Sequence, residues 1–283
     1  MGGIAREASA TSSLSGWMHR AGKRVDDRLA VRHTSSMVDR LFREARLAAM
    51  YDRFNPWEAR ADFAFYLPMV MAARSVLDIG CGTGTLLRRA REYGHDGRLC
   101  GVDPADGMLE VARSRQDIEW VLGDANAVRD RREKFDLVVM TGHAFQVLVG
   151  DDEVRAVLGV VAAALTGTGS FAFETRNPAV REWETWERRY SAVVTDETGA
   201  QVRCVCRVAE PVEGDLVSFT HTFTSDRWSQ SEVSHSTLRF LDQPTLGRFL
   251  SESGLMVAAQ FGDWDRNPLT AASPEIITIA RRG

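Results

Sequence analysis

Three aspartates and three glycines stand where they could grip one polar ligand. Asp78, Gly80, Gly82 and Gly84 lie in the run Val76-Leu77-Asp78-Ile79-Gly80-Cys81-Gly82-Thr83-Gly84. Asp103 follows 23 residues after Gly80, and Asp124 comes directly after Gly123. Alternate glycines let the backbone approach a ligand closely at the end of a strand. Thr85 stands where a dinucleotide fingerprint would place its third glycine. A carboxylate at Asp78 repels a pyrophosphate and suits a cationic amino group. Asp103 is placed to accept from both ribose hydroxyls, and Asp124 from an adenine amino group.

A ligand with an amino acid end, a ribose and an adenine satisfies all three acids. S-adenosylmethionine (SAM), leaving as S-adenosylhomocysteine, fits that description better than NAD.

These residues need strands to carry them, and the pattern supplies strands. Short apolar runs at Ser75–Ile79, Leu99–Val102, Ile118–Leu122, Phe135–Met140 and Ser170–Phe173 alternate with helical stretches at Leu86–Tyr93, Asp106–Arg115 and Asp152–Leu165. Near-continuous apolar strands between helices predict an α/β fold with a mostly parallel sheet. Upstream, the spacing of Met37, Leu41, Ala45, Leu47, Ala48 and Tyr51 predicts a helix capped by Ser35 or Ser36, and a second helix spans about 56–73. Alternating segments at 190–194, 201–209, 215–223 and 232–240 predict an antiparallel insertion. A helix at Pro244–Ser253 and strands near Met256–Phe261 and Ile276–Ala280 close the chain. The division expected is a lead-in over 1–35, a cofactor-binding core with N-terminal helices over 36–178, the insertion as a substrate lid over 179–242, and the end of the core over 243–283. The lead-in is weakly patterned, and the fold is expected to stand without it.

The chain resembles the class I SAM-dependent methyltransferases, of the bacterial small-molecule type. The resemblance rests on VLDIGCGTG (76–84), GVDPADGML (101–109), GDA (123–125) and FDLVVMTGHAFQVL (135–148). It implies a Rossmann-like seven-stranded sheet of order 3-2-1-4-5-7-6, with the last strand antiparallel and the β insertion after strand five. By position it places Asp78 and the turn of Gly80, Gly82 and Gly84 near the methionine part and Asp103 on the ribose. Met108 would pack on adenine, Asp124 and the Ala125 amide would read its edge, and Thr141 would offer a backbone contact. Tyr51 resembles an N-terminal tyrosine that closes over SAM. An insertion at this place commonly builds a lid over a small-molecule site in that family and can mediate homodimerisation.

Methyl transfer rests mainly on alignment, with a general base where the acceptor arrives protonated. His143, after strand four, is the candidate base. Glu174 and Arg176, after strand five, could orient the acceptor or pair with each other. Trp57, Trp183 and Trp186 could line the pocket or simply pack. His221 shares an apolar strand face and could reach the pocket or be a core residue; His235 reads similarly. The implied activity is methyl transfer to a nitrogen or oxygen of a small metabolite, as in antibiotic tailoring. An RNA or protein methyltransferase and a non-catalytic SAM-binding protein are the alternatives.

Composition limits the partners. With 35 Lys+Arg against 39 Asp+Glu, the chain lacks the basic footprint of a nucleic-acid binder. The cluster Arg129, Arg131, Arg132 and Lys134 is balanced by neighbouring acids and reads as a solvated loop. Four cysteines make no disulfide framework, and the single pair Cys204 and Cys206 is a weak zinc signal, so no metal is expected. The longest apolar stretch, 154–165, contains Arg155 and is too short to span a bilayer. No signal peptide is legible. A soluble, cytoplasmic protein is expected.

Overall fold

A computed structural model describes residues 38–283. The expected lead-in, and the Ser35 or Ser36 cap and Met37 of the first expected helix, lie outside the described residues. The described chain begins with three short helices, α1 (Arg40–Arg43), α2 (Ala45–Ala48) and α3 (Tyr51–Phe54), and continues into α4 (Ala61–Ala72). The single helix expected up to Tyr51 is therefore broken. Glu44 is extended (φ −74°, ψ 113°) between α1 and α2. The break lets Leu41 and Ala48 face two different partners: Leu41 joins a cluster with Val202 and Phe223, and Ala48 joins one with Ala105 and Met108.

The core then alternates: β1 (Ser75–Ile79), α5 (Thr85–Glu92), β2 (Arg98–Asp103), α6 (Asp106–Ala112), β3 (Glu119–Leu122), β4 (Phe135–Met140), α7 (Asp151–Ala164) and β5 (Leu165–Arg176). Strand five is much longer than the run Ser170–Phe173 suggests. Gly167 and Gly169 read as a helix stop, yet the helix ends at Ala164 and both glycines lie in the strand. Its first residues run through a register irregularity against β4, and its last seven pair with the final strand.

A short helix α8 (Trp186–Arg189) leads into β6 (Ala192–Thr195), β7 (Gln201–Val208), β8 (Leu216–Ser225) and β9 (Glu232–Arg239). Helix α9 (Gln243–Glu252), β10 (Leu255–Phe261) and β11 (Glu275–Arg282) complete the chain. The main sheet has the order β10-β11-β5-β4-β1-β2-β3, and β11 runs antiparallel to both neighbours. This is the expected Rossmann-like topology. Apolar side chains fill both faces. Leu77, Val138, Phe171 and Phe249 belong to one cluster, and Val76, Val139, Phe63 and Leu87 to the other.

Strands β6–β9 form a separate antiparallel sheet. Along β7, Val202, Cys204 and Cys206 are buried, alternating with exposed Gln201, Arg203 and Arg207. The pair of thiols thus shares one apolar face, as the two-residue spacing requires. That face is covered from two sides. Leu41, Leu47 and Met50 pack on Val202, Cys204 and Phe223, while Trp183 and Trp186 pack on Cys206, Val217 and Phe240. Polar contacts fasten the first cover: the Leu41 amide donates to Ser234 Oγ (2.9 Å) and Ser236 Oγ donates to Asp39. Among the described residues no helix is long and apolar enough to cross a membrane, and no group of His, Cys, Asp and Glu is arranged to hold a metal ion.

Candidate active site

The turn after β1 is tied to β2 by its own amides. Gly80 N and Cys81 N both donate to the Val102 carbonyl, at 2.8 and 3.2 Å. Gly82 N donates to Asp103 Oδ2, and Ala105 N to Asp103 Oδ1, both at 2.8 Å. Two backbone donors therefore fix the Asp103 carboxylate and leave further lone pairs on each oxygen. Burial raises the Asp103 carboxyl pKa, and the two amide bonds oppose that rise. Gly84 is left-handed (φ +72°), and a Cβ there would lie 2.3 Å from the Trp120 ring. Gly82 is also left-handed (φ +56°), but a Cβ there would meet nothing within 4 Å. Trp120 thus packs under one end of the turn, and open space lies over its middle.

Asp78 sits at this turn, 1% exposed, and its Oδ1 is buried without a hydrogen-bond partner. Burial, with Asp103 adding repulsion, pushes its carboxyl up to about 8. An unpaired buried carboxylate oxygen is costly unless something donates to it. The amino group of SAM is a donor of the right charge, so the residues present fit that cofactor. Other expected contacts are more engaged. Asp124 is exposed and accepts from Asn126 N (2.9 Å), capping its own turn, while Ala125 beside it is buried. Met108 is 2% exposed and clusters with Ala48 and Ala105, with Tyr51 packed against the same group. Thr141 is half-buried, and its carbonyl accepts from Ala144 N at 3.4 Å.

The loop after β4 is held from several directions. Gly142 and His143 are both left-handed (φ +67° and +62°), an uncommon conformation for histidine. His143 N donates to Glu174 Oε1 at 2.7 Å. Glu174 is fully buried, and its other oxygen accepts from Tyr66 OH. His143 Nε2 lies 3.0 and 3.1 Å from the two oxygens of Glu275. Burial pushes Glu174 up to about 7 and Glu275 up to about 8, and pushes His143 down to about 3.

Glu174 and Arg176 do not pair with each other. Arg176 instead meets Glu182 (3.0 Å), Gln146 Oε1 (3.0 Å) and Tyr190 OH (3.4 Å), and lies over the Trp186 ring. Trp57 stacks on Phe63 of α4 at 4.7 Å, with Arg89 of α5 above it. Trp183 and Trp186 pack in the insertion core. His221 stands between Phe219 and Phe223, and its Nδ1 is buried without a partner. Burial pushes its pKa down to about 4. His235 differs from His221: it is exposed on the outer face of β9.

Four residues that the sequence did not mark complete the site: Arg60, Asp62, Tyr66 and Glu275. Arg60 forms a two-pronged bond to Asp62 (2.8 and 2.6 Å), and a Cβ on Gly142 would lie 3.0 Å from its Nη2. One signal was available for Arg60. The three acids answer an amino group, a ribose and an adenine, but the carboxylate of an amino acid end also needs a cation.

Comparison with known proteins agrees with the fold. Residues 76–169 match the family model described as a methyltransferase domain. A 2-phytyl-1,4-naphtoquinone methyltransferase of Thermosynechococcus vestitus is 41% identical over 97 residues, which cover 29% of this chain and 42% of that protein. The match therefore spans less than half of that relative. A glycine/sarcosine N-methyltransferase of Parasynechococcus marenigrum is 28% identical over 228 residues, 77% of each chain. Among solved structures, the CcbJ methyltransferase of Streptomyces caelestis superposes with a TM-score of 0.67 at 20% identity, covering 87% of this chain and 100% of that one. CalS10, an amino pentose methyltransferase of Micromonospora echinaspora involved in calicheamicin biosynthesis, gives 0.60 at 19% identity, covering 82% and 94%. At these identities the structural likeness is one of fold. Residues 76–169 thus carry a methyltransferase domain, and the relatives and the fold are consistent with a class I methyltransferase that uses SAM.

Proposed function

We propose that the protein methylates an amine nitrogen of a small molecule. The observation that carries this reading is the charge balance around the β4 loop. Asp62, Asp78, Glu174 and Glu275 are all buried there, with buried Arg176 and half-buried Arg60 as the cations. An excess of desolvated carboxyls favours a cationic visitor. Two such visitors are the sulfonium cofactor and a protonated amine. A neutral hydroxyl gains less from the same field. The 77% coverage of a glycine/sarcosine N-methyltransferase supports nitrogen as the target. The fold shared with an amino pentose methyltransferase of calicheamicin biosynthesis supports a tailoring role on a secondary metabolite.

In this reading Asp78 takes the amino group of SAM, and Arg60 its carboxylate. Asp103 takes the ribose, with Asp124, the Ala125 amide and Met108 around the adenine, Thr141 contributing backbone and Tyr51 closing the near side. The bound cofactor supplies a methyl group already activated on a sulfonium. The chain's own residues then hold the acceptor in line, exclude water and remove a proton. His143 is the proton acceptor on the acceptor side. Arg176 and His221 border the pocket, and Glu174 acts through the His143 backbone.

The test is methyl transfer from isotopically labelled SAM to a panel of small amines, amino sugars, phenols and alcohols, read by mass spectrometry. Methylation of amines is the expected result. Transfer confined to hydroxyl acceptors, or to tRNA or protein, overturns the reading.

A further inference from the structure

We infer that Glu275 is a positioning residue that locks the His143 ring, binding Nε2 and presenting Nδ1 to the acceptor pocket as the proton-accepting atom. This rests on the amine reading above and deepens it.

The geometry is a bracket with two arms. One arm fixes the backbone: His143 adopts a left-handed conformation while its amide donates to Glu174, itself held by Tyr66 OH. A non-glycine residue persists there only where its surroundings over-determine it. The other arm fixes the ring: both Glu275 oxygens lie within 3.1 Å of Nε2. Glu275 is itself rigidly placed. It sits opposite Arg176 in the β11–β5 register, and its amide donates to the Gly262 carbonyl (3.1 Å). The preceding loop is fastened by Asn177, whose amide donates to the Pro274 carbonyl and whose Nδ2 donates to the Ser273 carbonyl (2.8 Å).

Nδ1 of His143 makes no hydrogen bond among the described residues, and it is not among the buried unpartnered atoms. It is the ring nitrogen that keeps no partner and is not fully buried, in a side chain 17% exposed. When Nε2–H donates to an ionised Glu275, Nδ1 carries a lone pair and can accept. An acceptor ammonium gives one proton to Nδ1, leaving a neutral amine whose lone pair forms the new C–N bond as the methyl C–S bond of SAM breaks, the bonding pair staying on sulfur and S-adenosylhomocysteine leaving. The imidazolium formed is balanced by the Glu275 carboxylate, and its proton later passes to water. The groups facing the pair are Arg60, Asp62, Tyr66, Glu174, Arg176 and Arg189. Burial favours the net-neutral pair, so the two side chains take up a proton as one unit.

The test needs no acceptor. Long-range nitrogen–proton NMR spectra of the full chain labelled with ¹⁵N-histidine, with His143 assigned by His143→Gln, report its tautomer and titration. Above pH 9, His143 is expected as the Nε2–H tautomer, and its ring nitrogens should shift as the pair takes up its proton on lowering the pH. In Glu275→Gln the amide carbonyl still accepts from Nε2–H, so the tautomer stays, but the titration step disappears from the pH 6–9 range. SAM affinity by calorimetry should be unchanged in that variant. An Nδ1–H tautomer in the wild type, or an unaltered titration in Glu275→Gln, overturns the proposal. With any amine the wild type methylates, Glu275→Gln should lower kcat roughly 10²-fold at unchanged KM for SAM; wild-type kcat would overturn it. Failure of the wild type to methylate any amine counts against the amine reading alone, because the spectra are read without one.

Discussion

In the cofactor cradle, Asp103 is held by amides 2 and 21 residues away; on the acceptor side, His143 is held by carboxylates 31 and 132 residues away. The cradle is one contiguous stretch of strand, turn and helix, fastened by backbone donors. The proposed acceptor side is a meeting of side chains from α4, β5 and β11. Backbone-built sites tolerate little change of residue type and are shared widely. Sites built from distant side chains can be rebuilt one element at a time, which is where substrate preference can diverge.

This contrast predicts that variants of the two regions fail in different ways. The largest effect is expected for Asp103→Ala. It removes two ribose hydrogen bonds of roughly 1.5–3 kcal/mol each and frees the Gly82 and Ala105 amides. SAM affinity should fall about 10²–10⁴-fold by calorimetry. Unchanged affinity would remove the cradle from the comparison.

His143→Ala should show the opposite signature. If the ring accepts the proton, kcat falls roughly 10²–10⁴-fold while SAM affinity stays within a few-fold. A loss of SAM binding equal to that of Asp103→Ala would merge the two regions into one.

A third prediction concerns pH. Asp78 and Glu275 are pushed up to about 8 and Glu174 to about 7 in the folded chain. Their unfolded values lie near the ordinary carboxyl range of about 4. Raised folded pKa values mean that the folded state binds more protons between those limits. Their contribution to stability is therefore fully present below about pH 4 and is lost as pH rises through 7 to 8. Thermal melts of the SAM-free protein should show Tm falling between pH 6 and pH 9. Saturating SAM should flatten the part owed to Asp78 and leave the part owed to Glu174 and Glu275. A Tm that rises over this range would contradict the burial of these groups.

The smallest effect is expected for Trp57→Ala. Its ring stacks on Phe63 of α4 under Arg89 of α5 and makes no hydrogen bond to the His143 loop. The loss should be about 1 kcal/mol of stability in a denaturant titration, in the range of an aromatic pair contact, with kcat unchanged. A large rise in the acceptor KM would bring Trp57 back to the pocket.

The same division decides what could be read from the sequence. The motifs from Val76 to Asp124 announce the cradle because glycine geometry and strand-end acids are local requirements. The insertion strands were legible too, since alternation along β7 and β8 reports burial on one face. Glu275 carried no local signal, for its partner lies 132 residues upstream. Tyr66 likewise meets Glu174 across 108 residues. The break at Glu44 was hidden for another reason. Helical spacing records which residues are buried, but not that Leu41 and Ala48 are buried against different neighbours.

The bond from the Leu41 amide to Ser234 joins residues 193 positions apart, and the Asp39–Ser236 contact spans 197. During synthesis, β1 to β4 leave the ribosome long before Ser234 exists. The nascent chain can gather its cradle strands from near neighbours, but α1 has no sheet to cover until β9 emerges. Closing so long a loop is slow relative to local pairing. The wall between Leu41 and Ser234 therefore closes only after β9 has emerged, well after the cradle strands. Until then Leu41, Leu47 and Met50 remain exposed on a chain whose cofactor end can already be in place.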